Sequence, residues 1–158
     1  MSYIQIAKSD ITSSTANVDI TGITDDSVYM LSIRNLTSDG SSTHAIMRVL
    51  NSGSPDTTSN YSGAEMNLRS DTGHNVGSRD NQSFWYISHN SIIYLYDFND
   101  SNQNSYIVNL PSDWRSSSAL FGRVGSAVHK VDQSNNGVRI QLDSGNMLSA
   151  EITLYKVV

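Results

Sequence analysis

The sequence predicts an all-β chain, a single antiparallel β-sandwich of jelly-roll-like design spanning residues 1–158. Three observations predict it. Short segments with period-two alternation recur along the chain, which is the spacing of a strand with one buried face. Gly, Asn, Asp and Ser punctuate these segments at the roughly 8 to 12 residue interval of sandwich and barrel strands. Charged residues make up only 16% of the chain, so Ser, Thr, Asn and Asp carry the polarity. These short side chains compete for backbone hydrogen bonds and favour turns over helices. At this length folding buries roughly 70% of the unfolded chain's surface, enough for a core without staples.

Taken in order, residues 3–8 alternate as a first strand, and residues 16–23 form a polar-rich second with Val18, Ile20 and Ile23 inward. Residues 28–36, V-Y-M-L-S-I-R-N-L, place Tyr29, Leu31 and Ile33 on one face. Asp39-Gly40 is a turn pair, and it leads into residues 44–50 as a hairpin. Residues 51–60 carry too little apolar surface for a core and read as an exposed loop. Residues 61–68 form a strand, and residues 69–82 a second long polar loop. Loops this long in a compact domain are usually functional or mobile, so contact with a partner is expected there. Residues 83–88 and 92–98 read as a hairpin across His89-Asn90-Ser91. Residues 99–104 turn the chain into 106–110, and Pro111 ends that strand. A helical turn is expected only within 114–122, while 127–131 and 138–142 are further strands. Residues 138–158 read as a hairpin hinged on Ser144-Gly145-Asn146, with Leu148, Ala150, Ile152 and Leu154 on one face and Ser149, Glu151, Thr153 and Tyr155 on the other. The total is about nine to eleven strands, with no composition break between them.

Composition excludes several classes of function. The absence of cysteine rules out disulfides, thiolate metal sites and cysteine nucleophiles. A net charge of -5, with basic residues scattered singly from Lys8 to Lys156, argues against nucleic acid as a partner, since a phosphate backbone demands a clustered positive face. The first residues lack the pattern of a secretory leader, and no apolar run approaches the ~20 residues of a helical membrane span, so no membrane partner is expected. The four histidines, His44, His74, His89 and His129, stand apart, with no G-x-S-x-G or H-E-x-x-H pattern near them. The chain is therefore expected not to be an enzyme. Asp132-Gln133-Ser134-Asn135-Asn136-Gly137, followed by Asp143, imitates the oxygen spacing of a calcium loop. Its flanks alternate like strands, however, and Asn136-Gly137 is the preferred pair of a type I′ hairpin turn. Asp97, Asn99, Asp100 and Asn102 read as a solvated hairpin tip. No metal and no cofactor are expected.

The aromatics are the densest candidate contact surface. Alternation sends Phe84 and Tyr86 to one face and Trp85 to the other, while Tyr94, Tyr96 and Phe98 share a face. Paired aromatic rows are first a core, then an interface, then a platform for sugars. With the polar segment 69–82 they define the candidate interaction residues: Trp85, Tyr94, Tyr96, Arg69, Asp71, His74, Arg79 and Asp80.

The chain also resembles a group of small β-sandwich structural proteins of tailed bacteriophages, especially those of marine cyanobacteria and related bacteria. The residues that carry the resemblance are V-Y-M-L-S-I-R-N-L with A-I-M-R-V-L-N-S-G, then N-Y-S-G-A-E, the aromatic I-I-Y-L-Y-D-F, and V-R-I-Q-L-D-S-G-N-M-L-S-A-E-I-T-L-Y-K. Ala150 and Lys156 stand where the group's ending usually has Gly. The resemblance implies a virion component, either head decoration or cement or an appendage such as a fibre or knob. Strand material beginning at Tyr3 favours a freestanding small protein over a fibre with a long shaft. Expected partners are other virion proteins, the major capsid protein or an appendage, and further copies of the chain. Sheet edges must be covered, and a homotrimer is the expected form. The alternative is a receptor- or carbohydrate-binding tail-fibre tip that takes a host surface glycan.

Overall fold

The structure is a computed structural model that describes residues 2–40, 44–70, 73–115 and 119–158, with the backbone alone for 113–115 and 119. Among the described residues there are thirteen strands and no helix. The larger sheet runs, in spatial order, β1 (Tyr3–Ile11), β13 (Met147–Val157), β3 (Tyr29–Ser38), β9 (Asn90–Tyr96), β10 (Ser105–Arg115), β11 (Ala119–His129), β6 (Tyr61–Arg69) and β7 (Gly73–Gln82). The smaller sheet runs β2 (Asn17–Thr21), β12 (Gly137–Leu142) and β4 (Ala45–Asn51). The free side of β4 is shared by two short strands, β5 (Ser54–Pro55) and β8 (Trp85–Ile87). Every pairing is antiparallel.

Eight of these strands form a jelly roll. Counting only β1, β2, β3, β4, β8, β9, β12 and β13, one sheet has the order first-eighth-third-sixth and the other second-seventh-fourth-fifth, the strand order of two interlocked Greek keys. The segment between β4 and β8 supplies β6 and β7, and the segment between β9 and β12 supplies β10 and β11. These four strands continue the larger sheet outward from β9.

The core lies between the sheets. Tyr29, Leu31, Ile33, Ile93, Leu95, Ile107, Ile152 and Leu154 of the larger sheet pack against Ile20, Met47, Val49, Val138, Ile140 and Leu142 of the smaller one. The inward pattern read from Val18, Ile20 and Ile23, and from Tyr29, Leu31 and Ile33, is the one observed.

Four expected hairpins are instead crossovers between sheets. The neighbours β3 and β4, β8 and β9, β11 and β12, and β12 and β13 each have one member in either sheet. A crossover and a hairpin both need Gly or Asn in the turn, and Gly145 does take a positive φ of 73°. Only the pairing partner differs. Gly137 likewise serves a close approach and not a type I′ turn: a Cβ there would stand 2.3 Å from the Ile20 carbonyl oxygen.

Register shifts at Met147/Ser149 and Ser149/Glu151 put Met147 inside and leave Leu148 42% exposed, so Leu148 does not share the face of Ala150, Ile152 and Leu154. Phe98 enters the core while Tyr94 and Tyr96 point outward from β9. Pro111 does not end its strand. The β10–β11 ladder breaks at Leu110 and Pro111, where a donor is missing, and resumes in the same register at Ser112 and Gly122. The expected helical turn falls on β10 and β11, and its residues 116–118 lie outside the described residues. The polar segment 69–82 is a strand, β7, paired along β6, and not a loop. Residues 51–60 remain largely exposed but include the short β5.

Candidate functional site

Beyond the core, the inner face of the extension turns polar. Alternation on β6 aims Glu65, Asn67 and Arg69 to the same side as the core-facing Tyr61 and Gly63. Across the ladder, Phe121, Arg123 and Gly125 of β11 stand opposite Arg69, Asn67 and Glu65, and Gly73, Asn75, Gly77 and Arg79 of β7 continue the rows. Tyr86 of β8 and His44, just before β4, close the other side from the rim of the smaller sheet. The result is a cleft of about 280 Å³.

Aromatic rings hold the cations in it. The Arg123 and Arg69 guanidinium carbons lie 4.8 and 5.9 Å from the Phe121 ring centre, and that of Arg79 lies 4.3 Å from the Tyr86 ring centre. Tyr86 is braced edge-on by Phe84 at 4.9 Å and by His44 at 5.6 Å between ring centres. Glu65, 8% exposed, sits 3.7 Å from Arg123. It is flanked by Gly125 and Gly77, and a Cβ at Gly125 would approach the Glu65 Cβ to 2.8 Å. His44 Nδ1 is 3.0 Å from Asp143, whose carboxyl is held below its usual range: burial opposes this, and hydrogen bonds from the His44 backbone and side chain overrule it.

Between cleft and core lies a polar knot. The buried Tyr61 hydroxyl accepts the Val49 N–H at 2.9 Å, tying the larger sheet to β4, and burial pushes its pKa up. His129, wholly buried, places Nε2 2.6 Å from Asp56 Oδ2. Burial alone would raise the Asp56 pKa, but hydrogen bonds from Thr58, His129 and Asn60 hold it well below the carboxylate range. Among the described residues no three His, Asp or Glu side chains gather as a metal site.

Comparison with protein-family models, with curated proteins and with solved structures finds no match. The site is therefore read from its own chemistry.

Of the candidate interaction residues, the structure brings Arg69 and Arg79 together in the cleft. Trp85 is 1% exposed, packed over Gly63 at the border of the core, and offers no outer contact surface. Tyr94 and Tyr96 lie half-buried on the opposite, outer face of the larger sheet. The Tyr94 phenol is hydrogen-bonded to that of Tyr3, which raises its pKa. His74 is exposed on β7 opposite Leu68, and Asp80 is tied to Ser62 and Lys130. Asp71 lies outside the described residues. The sequence alone does not single out Glu65, Asn67, Asn75, Phe121 and Arg123, although E-M-N-L-R and F-G-R-V-G alternate.

The outer face of the extension is apolar. Ile92, Leu110, Val124, Met66 and Val76 lie side by side across β9, β10, β11, β6 and β7, all substantially exposed, and Val76 is 74% exposed. Leu68 and Leu120 continue this surface toward one end of the strands, and Tyr106 toward the other.

Proposed function

We propose that this protein is a non-enzymatic structural component of a tailed-bacteriophage virion, mounted on the capsid or an appendage, which associates with further copies of itself through the outer face of its larger sheet. The observation that carries the reading is the apolar row from Ile92 to Val76. With its flanking leucines and Tyr106 it presents roughly 600 Å² of apolar surface, at or above the largest patch of an ordinary monomer. It approaches the ~800 Å² that each partner buries in a stable interface. Around a threefold axis each copy would bury one part of this apolar face against a different part of its neighbour's, and a closed homotrimer is the proposed form. The jelly roll suits both coats and lectins, so the fold supports the class and the resemblance supports the virion.

Light scattering on the purified chain tests the reading, together with sedimentation on particles of the parent phage. Oligomers that dissociate in Met66→Lys, and that co-sediment with particles, are the expected result. A monomer at all concentrations that never appears on particles overturns it. A second reading, a receptor- or carbohydrate-binding module, is favoured by the arginine-lined cleft on the opposite side of the extension.

A further inference from the structure

We infer that the cleft between β11, β6, β7 and Tyr86 binds an acidic sugar, a pyranose ring that carries a carboxylate. The inference rests on the second reading and adds to it the chemical class of the ligand.

Charge points first to an anion. Three guanidiniums, Arg69, Arg79 and Arg123, line the cleft together with the Glu65 carboxylate, in a chain whose net charge is -5. A concave wall lined by like charges raises the local concentration of an opposite charge.

Pre-organisation points to a carboxylate. Cation–π contacts with Phe121 and Tyr86 hold the guanidiniums against aromatic rings. The planar N–H fork of a guanidinium grips a carboxylate in bidentate fashion. Among the described residues Arg79 makes no hydrogen bond or ion pair, so its contact with the Tyr86 ring positions a cation that no described carboxylate neutralises.

The rest of the lining points to a sugar. Asn67 and Asn75 are cross-strand partners on the floor, and side-chain amides both donate to and accept from hydroxyls. Glu65 is acceptor-only when ionised: it suits hydroxyl donors and repels a compact dianion such as phosphate. Gly125 and Gly77 on either side of it place no side chain beside its carboxylate. A volume of about 280 Å³ stands at the small end of ligand sites, the size of a single ring with its substituents. The aromatic faces are occupied by arginines, so hydrogen bonds and charge, not ring stacking, provide the recognition.

Calorimetry on the chain decides it, with trigalacturonate as probe and galactotriose, inorganic sulfate and inorganic phosphate as comparison ligands. Trigalacturonate is expected to bind, to weaken about tenfold or more in Arg79→Gln, and to weaken again as salt rises from about 50 to about 500 mM. Arg79 is exposed on an edge strand, so its variant keeps the wild-type melting temperature, which is measured alongside. Galactotriose bound as tightly as trigalacturonate, with Arg79→Gln unchanged, overturns the acidic ligand while leaving the glycan reading in place. Sulfate or phosphate bound as tightly as trigalacturonate reduces the cleft to an anion hole and overturns the sugar. Binding of none of these overturns both the inference and the second reading.

Discussion

The jelly-roll body and the four strands that extend it are built from one continuous antiparallel ladder, yet they use its two faces in opposite ways. In the body, the apolar side of each strand meets the other sheet. Leu31, Ile33, Ile93, Leu95, Ile152 and Leu154 lose nearly all contact with water. In the extension, Met66 and Leu68 of β6 and Val124 of β11 face outward, while Glu65, Asn67 and Arg69 take the inner side. Alternation establishes that a strand has two unlike faces, but not which face is covered. That depends on where the second sheet ends, and here it ends at β8.

The sharpest test of this difference is a matched pair of truncations. Ile152→Ala removes buried atoms between the sheets and is expected to cost about 2 to 5 kcal/mol in denaturant unfolding. Val124→Ala, on the outer face, is expected to stay within about 0.5 kcal/mol for the monomer. Equal losses would mean that the extension is packed as tightly as the body.

The border between the two regions is next. A Cβ on Gly63 would fall 2.3 Å from the Ser126 carbonyl oxygen and 2.7 Å from the Trp85 ring. Gly63→Ala is therefore expected to destabilise by about 1 to 3 kcal/mol. A melting temperature equal to wild type would show that Trp85 does not clamp the extension to the core.

The polar knot beside that border makes stability depend on pH. Asp56 has a folded pKa below its unfolded value, so its contribution is present above the ordinary carboxylate range and is lost as the pH falls through that range. Asp56→Asn is expected to lower stability at neutral pH by about 1 to 3 kcal/mol, since it disrupts the partner of the buried His129. It should also flatten the acid side of the stability curve below about pH 4. An unchanged acid slope would assign acid sensitivity to other depressed carboxylates, Asp25, Asp80 and Asp143.

The smallest effect on folding is expected at the far edge. Val76→Lys should leave unfolding within about 0.5 kcal/mol of wild type while lowering the oligomer mass seen by light scattering. A charge at the edge that changes neither quantity would move the interface away from β7.

Much of the body was legible in the sequence. Alternating apolar residues and turn signals located most of its strands and named the inward set of β3. Pairing was not legible, because Ser144-Gly145-Asn146 turns a crossover as readily as a hairpin, and only β3, β4 and their distant partners decide between them. Leu148 was misplaced because a bulge leaves no trace in composition. The edge strand β7 escaped notice for a different reason: it is exposed on both faces, so G-H-N-V-G-S-R-D-N-Q carries no period to read. Half of the candidate site lies on that strand and its neighbour. Arg69 and Arg79 stand out in the sequence only as members of a polar stretch, and their aromatic supports, Phe121 and Tyr86, meet them through tertiary pairing alone.

Ser2 and Val158 are joined by reciprocal backbone hydrogen bonds of 2.8 and 3.0 Å, beside β1, at the opposite margin of the larger sheet from β7. Seven strand-to-strand steps of about 4.8 Å separate those margins, a reach of roughly 30 Å once the sheet's twist is allowed for. Anything joined to either end therefore holds the molecule by its heel, and the arginine-lined cleft rides near the toe. A tether at that corner turns the sheet into a lever, with small rotations at the anchor sweeping the cleft through a wide arc. A bulky label at residue 2 or 158 would sit too far away to obstruct the cleft.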